Sequence, residues 1–133
     1  MKVVLDANIF ISSFFWGGNP RIILERVIKG IDELFITKEI MHEIEEVIGR
    51  PKFHVEKEKI AYFINSIEEI GNKIIPVRQI NNASRDRSDN KYIECGIAAN
   101  VDYIISGDVH LLELEEYENI KIVTAKEYLE LVK

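Results

Sequence analysis

The apolar positions of this chain fall into short blocks of two alternating kinds. The first block, Val3-Val4-Leu5, is continuous and stops at a carboxylate, Asp6. Such a run bounded by polar residues predicts a strand buried in a parallel sheet, here over 2–6. Residues 7–16 are expected to turn into helix, because a second buried strand so close would leave Asn8 without a partner. Gly17-Gly18 breaks the chain. Asn19 is then expected to cap a helix, with Pro20 in the first position, where its missing N–H costs nothing. Ile22, Ile23, Arg26 and Val27 give that helix a face, and Gly30 stops it.

The alternation continues. Glu33–Thr37 reads as a second strand, and Thr37 as the cap of a helix over 38–49 with Ile40, Met41, Ile44, Val47 and Ile48 on its apolar face. Arg50-Pro51 ends it. Residues 55–70 carry Ile60, Phe63, Ile64, Ile67 and Ile70 at helical spacing, stopped by Gly71. Lys73–Val77 is the expected third strand, and 78–88 a polar loop containing Asn81-Asn82, Ser84 and Asp86. Ser88 is expected to cap a helix from Asp89 to about Ala99, which Asn100 closes. Val101–Ser106 reads as a fourth strand ending at Gly107-Asp108, and Val109–Glu116 as a short helical turn. Lys121–Val123 is a fifth strand. Thr124 and Glu127 fit a capping box that opens a last helix to Leu131. Strand and helix alternate throughout, which predicts an α/β fold with a mostly parallel five-stranded sheet and helices on both faces.

Composition narrows the classes. A chain of 133 residues fits one domain, spanning 1–133, and 47% hydrophobic residues supply its core. No apolar run has the length needed to cross a bilayer. Asp6 and Asn8 interrupt the N-terminal apolar stretch, so no signal peptide is expected and a cytoplasmic protein is the simplest reading. The single cysteine, Cys95, excludes an intramolecular disulfide and a cysteine-rich zinc site, and reads as an apolar filler. A net charge of −6 argues against a broad basic surface gripping nucleic acid. It is compatible with a cluster of carboxylates whose bound cations reverse the local sign.

Such a cluster is what the strand ends offer. Asp6 and Asp108 both follow apolar strands, so in a parallel sheet both lie on the edge where open α/β sheets place their ligands. Asp89 sits in the first turn of its helix, on the side of Ile93, where it also complements the helix dipole. On the helix over 38–49, Glu43 and Glu45 flank the apolar arc on opposite sides, and periodicity does not choose between them. Converging carboxylates suit hard cations such as Mg²⁺ and Mn²⁺, which take oxygen ligands. A pair of such ions supports in-line phosphodiester cleavage. The chain contains no Gly-x-x-x-x-Gly-Lys loop, no Gly-x-Ser-x-Gly elbow and no His-Glu-x-x-His pair.

Four stretches together resemble a known family. Val3-Val-Leu-Asp6-Ala-Asn8-Ile, Lys38 through Phe53 around Glu43, Asp86-Arg-Ser-Asp89-Asn-Lys-Tyr-Ile-Glu-Cys-Gly, and Asp102-Tyr-Ile-Ile-Ser106-Gly-Asp108-Val-His110 resemble, in order, the motifs of PIN-domain ribonucleases. The likeness is strongest to the PIN subfamily described as toxin components of toxin–antitoxin systems, related to VapC-type toxins. It implies a PIN-like three-layer α/β/α sandwich. It also implies that Asp6, Glu43, Asp89 and Asp108 form an acidic quartet binding one or two Mg²⁺ or Mn²⁺ ions for endoribonuclease action, which settles the tie in favour of Glu43. Asn8 matches a residue supporting the first Asp, Ser106 the small hydroxyl before the last acid, and Asp86 an additional acid behind the metal ligands. Some relatives carry an Asp where His110 stands here. A neutral imidazole there is able to ligate Mn²⁺ or to point outward.

The expected function is therefore a metal-dependent endoribonuclease with an RNA substrate and a cognate antitoxin, and with a homodimer as its assembly. The alternative is a catalytically weak PIN-fold scaffold or RNA-binding module, which the net charge and His110 favour. A haloacid-dehalogenase-like phosphatase would want a second Asp at Asn8. A response-regulator receiver would want paired acids that are not found. Phe14, Phe15 and Trp16 read as core or a subunit contact in preference to a base-stacking platform. Arg50, Lys52, Arg78, Arg85 and Arg87 flank the acidic motifs, either to meet phosphates or to balance a negative surface. His42 and His54 read as surface residues.

Overall fold

Lys2–Leu5 (β1) is laid down first and becomes a central strand of the sheet. The computed structural model describes residues 1–80, 83 and 87–133. After β1 come Ala7–Phe15 (α1), Gly18–Ile28 (α2) and Glu33–Ile36 (β2). Lys38–Ile48 (α3), a 3-10 turn at Pro51–Phe53 and Lys57–Ile70 (α4) lead to Gly71–Lys73 (β3). A second 3-10 turn, Arg87–Asp89, runs into Asn90–Ala99 (α5) and then Tyr103–Ile105 (β4). Val109–Leu112 (α6), Glu116–Tyr117 (β5), Ile120–Val123 (β6) and Ala125–Leu131 (α7) complete the chain.

The strand order is β3-β2-β1-β4-β6-β5. All neighbours are parallel except β5 and β6. In register, Val3, Val4 and Leu5 face Tyr103, Ile104 and Ile105, which in turn face Lys121, Ile122 and Val123. The right-handed rule for parallel connections assigns the helices between β1 and β3 to one face and α5 to the other, and α5 packs against β1, β2 and β4. The expected three-layer α/β/α sandwich is therefore what forms. Val3, Val4, Phe10, Ile40, Ile44, Ile93 and Ile104 are sealed from solvent between the layers. Cys95 is buried among them, and burial pushes its thiol up to about 12, as befits an inert filler. Among the described residues, no helix is long and apolar enough to cross a membrane.

The sheet has six strands among the described residues, where five were expected. The addition is β5, which folds back on β6 through Glu118 and Asn119, both at positive φ (47° and 73°). Two consecutive left-handed residues make the tight hairpin turn that matches strand twist. A glutamate in the first of those positions gives little sequence warning of it. The third strand is also shifted. It occupies 71–73 and not 73–77, because Gly71 passes straight from α4 into the sheet. A Cβ at Gly71 would lie 2.8 Å from Ile36 Cδ1 and 3.2 Å from the Ile67 carbonyl oxygen. The chain then leaves the sheet after Ile74, whose N–H still donates to the Ile36 carbonyl at 2.9 Å.

Helix boundaries follow the capping chemistry with one correction. Thr37 Oγ1 accepts from the Ile40 N–H at 3.2 Å, Asn100 closes α5 in the left-handed conformation, and the Thr124–Glu127 capping box is present. The cap of α2, however, is Gly17 at φ 77°, not Asn19. Its left-handed backbone turns the chain early and moves Pro20 from first to third position, still within the turn whose N–H groups lack helical partners. Ser88 lies inside the 3-10 turn that feeds α5 and does not cap it. Asn81, Asn82, Ser84, Arg85 and Asp86 lie outside the described residues, as does the Arg87 side chain.

Candidate active site

Strand order sets where a ligand can enter. From β1 the chain moves outward through β2 to β3, and it later continues on the other side through β4 and β6. The direction of winding therefore reverses between β1 and β4, and the crevice beyond their C-terminal ends is the expected ligand position of such a sheet. Asp6 follows β1 directly, and Ser106 follows β4 directly.

Both acids are held as helix caps. Asp6 Oδ1 accepts from the Asn8 N–H at 2.6 Å at the start of α1. Asp108 Oδ1 accepts from the His110 N–H at 2.7 Å at the start of α6. Ser106 couples them: its Oγ–H donates to Asp6 Oδ2, and its Oγ accepts from the Asp108 N–H at 2.9 Å. Glu43 arrives from the flank of α3. Tyr92 of α5 donates its hydroxyl to Glu43 Oε2, and the same hydroxyl oxygen accepts from the Ala7 N–H at 3.0 Å. Lys91 Nζ lies 3.3 Å from Glu43 Oε1. Asp89, buried just before α5, completes the set.

The four carboxylates expected from the sequence, Asp6, Glu43, Asp89 and Asp108, line one cleft of about 220 Å³. Asn8, Val47, Arg50, Ser88 and Tyr92 also line it. Glu45, the competitor of Glu43, is exposed and lies outside the cleft lining. Asn8 supports Asp6 through its backbone N–H, while its side chain is exposed at the cleft. His110 does not line the cleft, and its Nδ1 lies 4.0 Å from Glu113. Arg78 is paired with Glu118, whereas Arg50 reaches the cleft. The acid at Asp86 lies outside the described residues. Tyr92 and Lys91 went unnoticed as site residues in the sequence. The available signal was spacing, since Tyr92 is three residues beyond Asp89 and so shares its side of the helix.

Electrostatics make the cleft receptive to cations. Burial raises the Asp6 carboxyl above its ordinary value, hydrogen bonds from Ser106 and Asn8 partly oppose this, and the charges of Asp108 and Glu43 raise it further. A cation would relieve that repulsion. The donor set is all oxygen, as Mg²⁺ and Mn²⁺ prefer, so the residues fit such an ion by type and number. Among the described residues, no group of three His, Cys, Asp or Glu side chains is drawn together tightly enough to grip an ion as it stands. Hard cations that keep several waters tolerate such spacing.

Comparison with known proteins bears on the fold and the family. No curated protein sequence matches the chain. Among solved structures, a chain in the crystal structure of VapBC2 from Rickettsia felis bound to a DNA fragment from their promoter superposes with a TM-score of 0.63. It is 14% identical, and the alignment covers 92% of this chain and 97% of that one, a likeness of fold. A family model for the PIN domain matches residues 2–110, from β1 through the start of α6, and the chain thus belongs to the PIN domain family.

Proposed function

We propose that this protein is a divalent-metal-dependent endoribonuclease, acting as the toxin of a toxin–antitoxin pair. The observation that carries the reading is the arrival of four carboxylates from four separate elements in one cleft at the sheet's reversal point. Asp6, Glu43, Asp89 and Asp108 would hold the Mg²⁺ or Mn²⁺. The ion, when bound, supplies an acidified water and neutralises charge at the scissile phosphate. The remaining work falls to the chain. Ser106 and the Asn8 N–H fix the Asp6 oxygens, and Tyr92 with Lys91 fixes Glu43. Arg50 at the cleft wall offers a cation to the phosphate backbone of RNA.

A cognate antitoxin protein and a homodimer belong to the same reading and rest on family likeness. The test is cleavage of a structured RNA with Mn²⁺ by wild type and Asp6→Asn. Loss in the variant is expected, and equal rates would remove Asp6 from the metal site. One observation favours a second reading, a catalytically weak RNA-binding scaffold: the Lys91 ammonium already stands beside Glu43. Calorimetric titration with Mn²⁺ separates the two, because a scaffold shows no saturable binding at millimolar metal.

A further inference from the structure

The cleft has a continuation that the acids do not use. On α1, Asn8, Ser12, Phe15 and the capping residue Trp16 lie on one face at helical spacing, and all are at least partly exposed. Asn8 stands in the cleft, and Trp16 stands about 12 Å further along the axis at 1.5 Å per residue. The neighbouring helix α3 carries Glu43 and Val47 into the same wall, and Arg50, just past its end, joins them there. The two sides meet again where Phe53, just past Arg50, stacks on Phe15 at 5.0 Å and 25°.

The end of this track is aromatic and cationic. Phe15 is seated edge-on against Phe14 (4.9 Å, 88°), so it is not free to turn away. Trp16 leans on Phe15 at 5.5 Å and is 74% exposed, so of the two roles read from the sequence, core or subunit contact, it does not fill the first. Lys52 Nζ sits 5.1 Å above the Phe53 ring. Among the described residues, Arg50 is tied by an exposed pair with Glu46 at 3.2 Å, of the kind that exchanges partners at little cost.

We infer that the Trp16 face, reached from the carboxylate cleft past Arg50, is a stacking platform for an unpaired base of a single-stranded RNA, a few nucleotides from the scissile phosphate. The proposal rests on the nuclease reading of the cleft. Single-strand binders combine backbone-tracking cations with aromatic faces, and stacking needs no particular base. Arg50 and Lys52 supply the cations, Trp16 the face, and duplex RNA is unable to present an unstacked base to it. The platform therefore selects unpaired segments, such as loops and ends of folded RNAs.

The chain contains a single tryptophan, so its fluorescence reports on this position alone. A short mixed-sequence single-stranded oligoribonucleotide is titrated with Mg²⁺ into an Asp108→Asn background, which slows cleavage. Fluorescence is read with unlabelled oligonucleotide, and anisotropy with a dye-labelled one. Saturable quenching by the single strand and none by its duplex is expected. Trp16→Ala should weaken binding by about tenfold and Trp16→Phe should restore most of it. Binding without quenching, equal in Trp16→Ala, overturns the platform and leaves the nuclease reading intact. A change of oligomeric state in Trp16→Ala with unmoved RNA affinity also overturns it, and makes the patch a protein contact. Neither binding nor cleavage by the wild-type chain defeats both readings.

Discussion

Asp6 and Asp32 are the same residue at opposite ends of the sheet, 3% and 2% exposed, and their surroundings treat them in opposite ways. Asp32, just before β2, accepts from Arg26 Nε at 2.8 Å and Nη2 at 3.3 Å, and the Met1 amine lies 3.4 Å away. Burial alone would raise its carboxyl, but Arg26, Tyr128 and the amine outweigh burial and lower it. The buried Tyr128 hydroxyl makes no hydrogen bond of normal geometry among the described residues, yet it lies close enough to favour the charged form of Asp32. Asp6 has a hydroxyl and an N–H for partners and two more carboxylates for neighbours, and its carboxyl is raised. A buried acid with a cation of its own holds a fold together. A buried acid surrounded by other acids carries a repulsion that, under the proposed function, a bound cation would relieve.

The largest test of the contrast is Asp6→Asn. It should cut RNA cleavage by about a hundredfold or more, the scale of losing one preorganised charge partner in a reaction centre. Its thermal midpoint should hold or rise, because a repelled charge is gone. A lowered midpoint with intact cleavage would invert the comparison. Asp32→Ala should behave in the reverse way, losing about 3 kcal/mol of stability by leaving Arg26 without its partner. Its cleavage rate per folded molecule should be unchanged, as read by urea unfolding beside a cleavage assay.

Tyr92→Phe sharpens the contrast from inside the cleft. It strips Glu43 of a donor and leaves the Ala7 N–H without an acceptor. We expect a loss of about 1 kcal/mol in stability and about tenfold weaker Mn²⁺ binding by calorimetry. The smallest effect is the shape of stability against pH. Asp32, lowered from 3.8, contributes stability that is present above that value and fades as pH falls through its folded-state pKa. Asp6, raised from 3.8, imposes a penalty that is absent below that value and complete once pH exceeds its folded-state pKa. Urea midpoints from acid to neutral pH should lose the low-pH fall in Asp32→Asn and the decline above it in Asp6→Asn.

The acids of the cleft were legible because each follows a feature with a strong local pattern. Asp6 and Asp108 end apolar strands, Asp89 precedes an amphipathic helix, and Glu43 flanks an apolar arc. What periodicity left undecided, Glu43 against Glu45, the motif likeness resolved, and the cleft contains Glu43. Asp32 and Tyr92 were illegible because their importance lies in partners distant in sequence. Asp32 reads as an ordinary acid in a Gly-Ile-Asp turn, and Tyr92 as another residue on a helix. The strand at Gly71 was misplaced because only the crowding by Ile36 and Ile67 shows why the helix gives way there without a loop. The hairpin at Glu118-Asn119 carried neither glycine nor proline to announce it.

The hydroxyl bridge from Ser106 to Asp6 joins residues 100 positions apart. On the ribosome, the first aspartate therefore emerges long before the strand that anchors it. At ordinary elongation rates the gap is about 5 to 20 seconds. Throughout that interval the nascent polypeptide carries an unfinished cleft, so nothing that needs all four carboxylates together can begin until synthesis is nearly over.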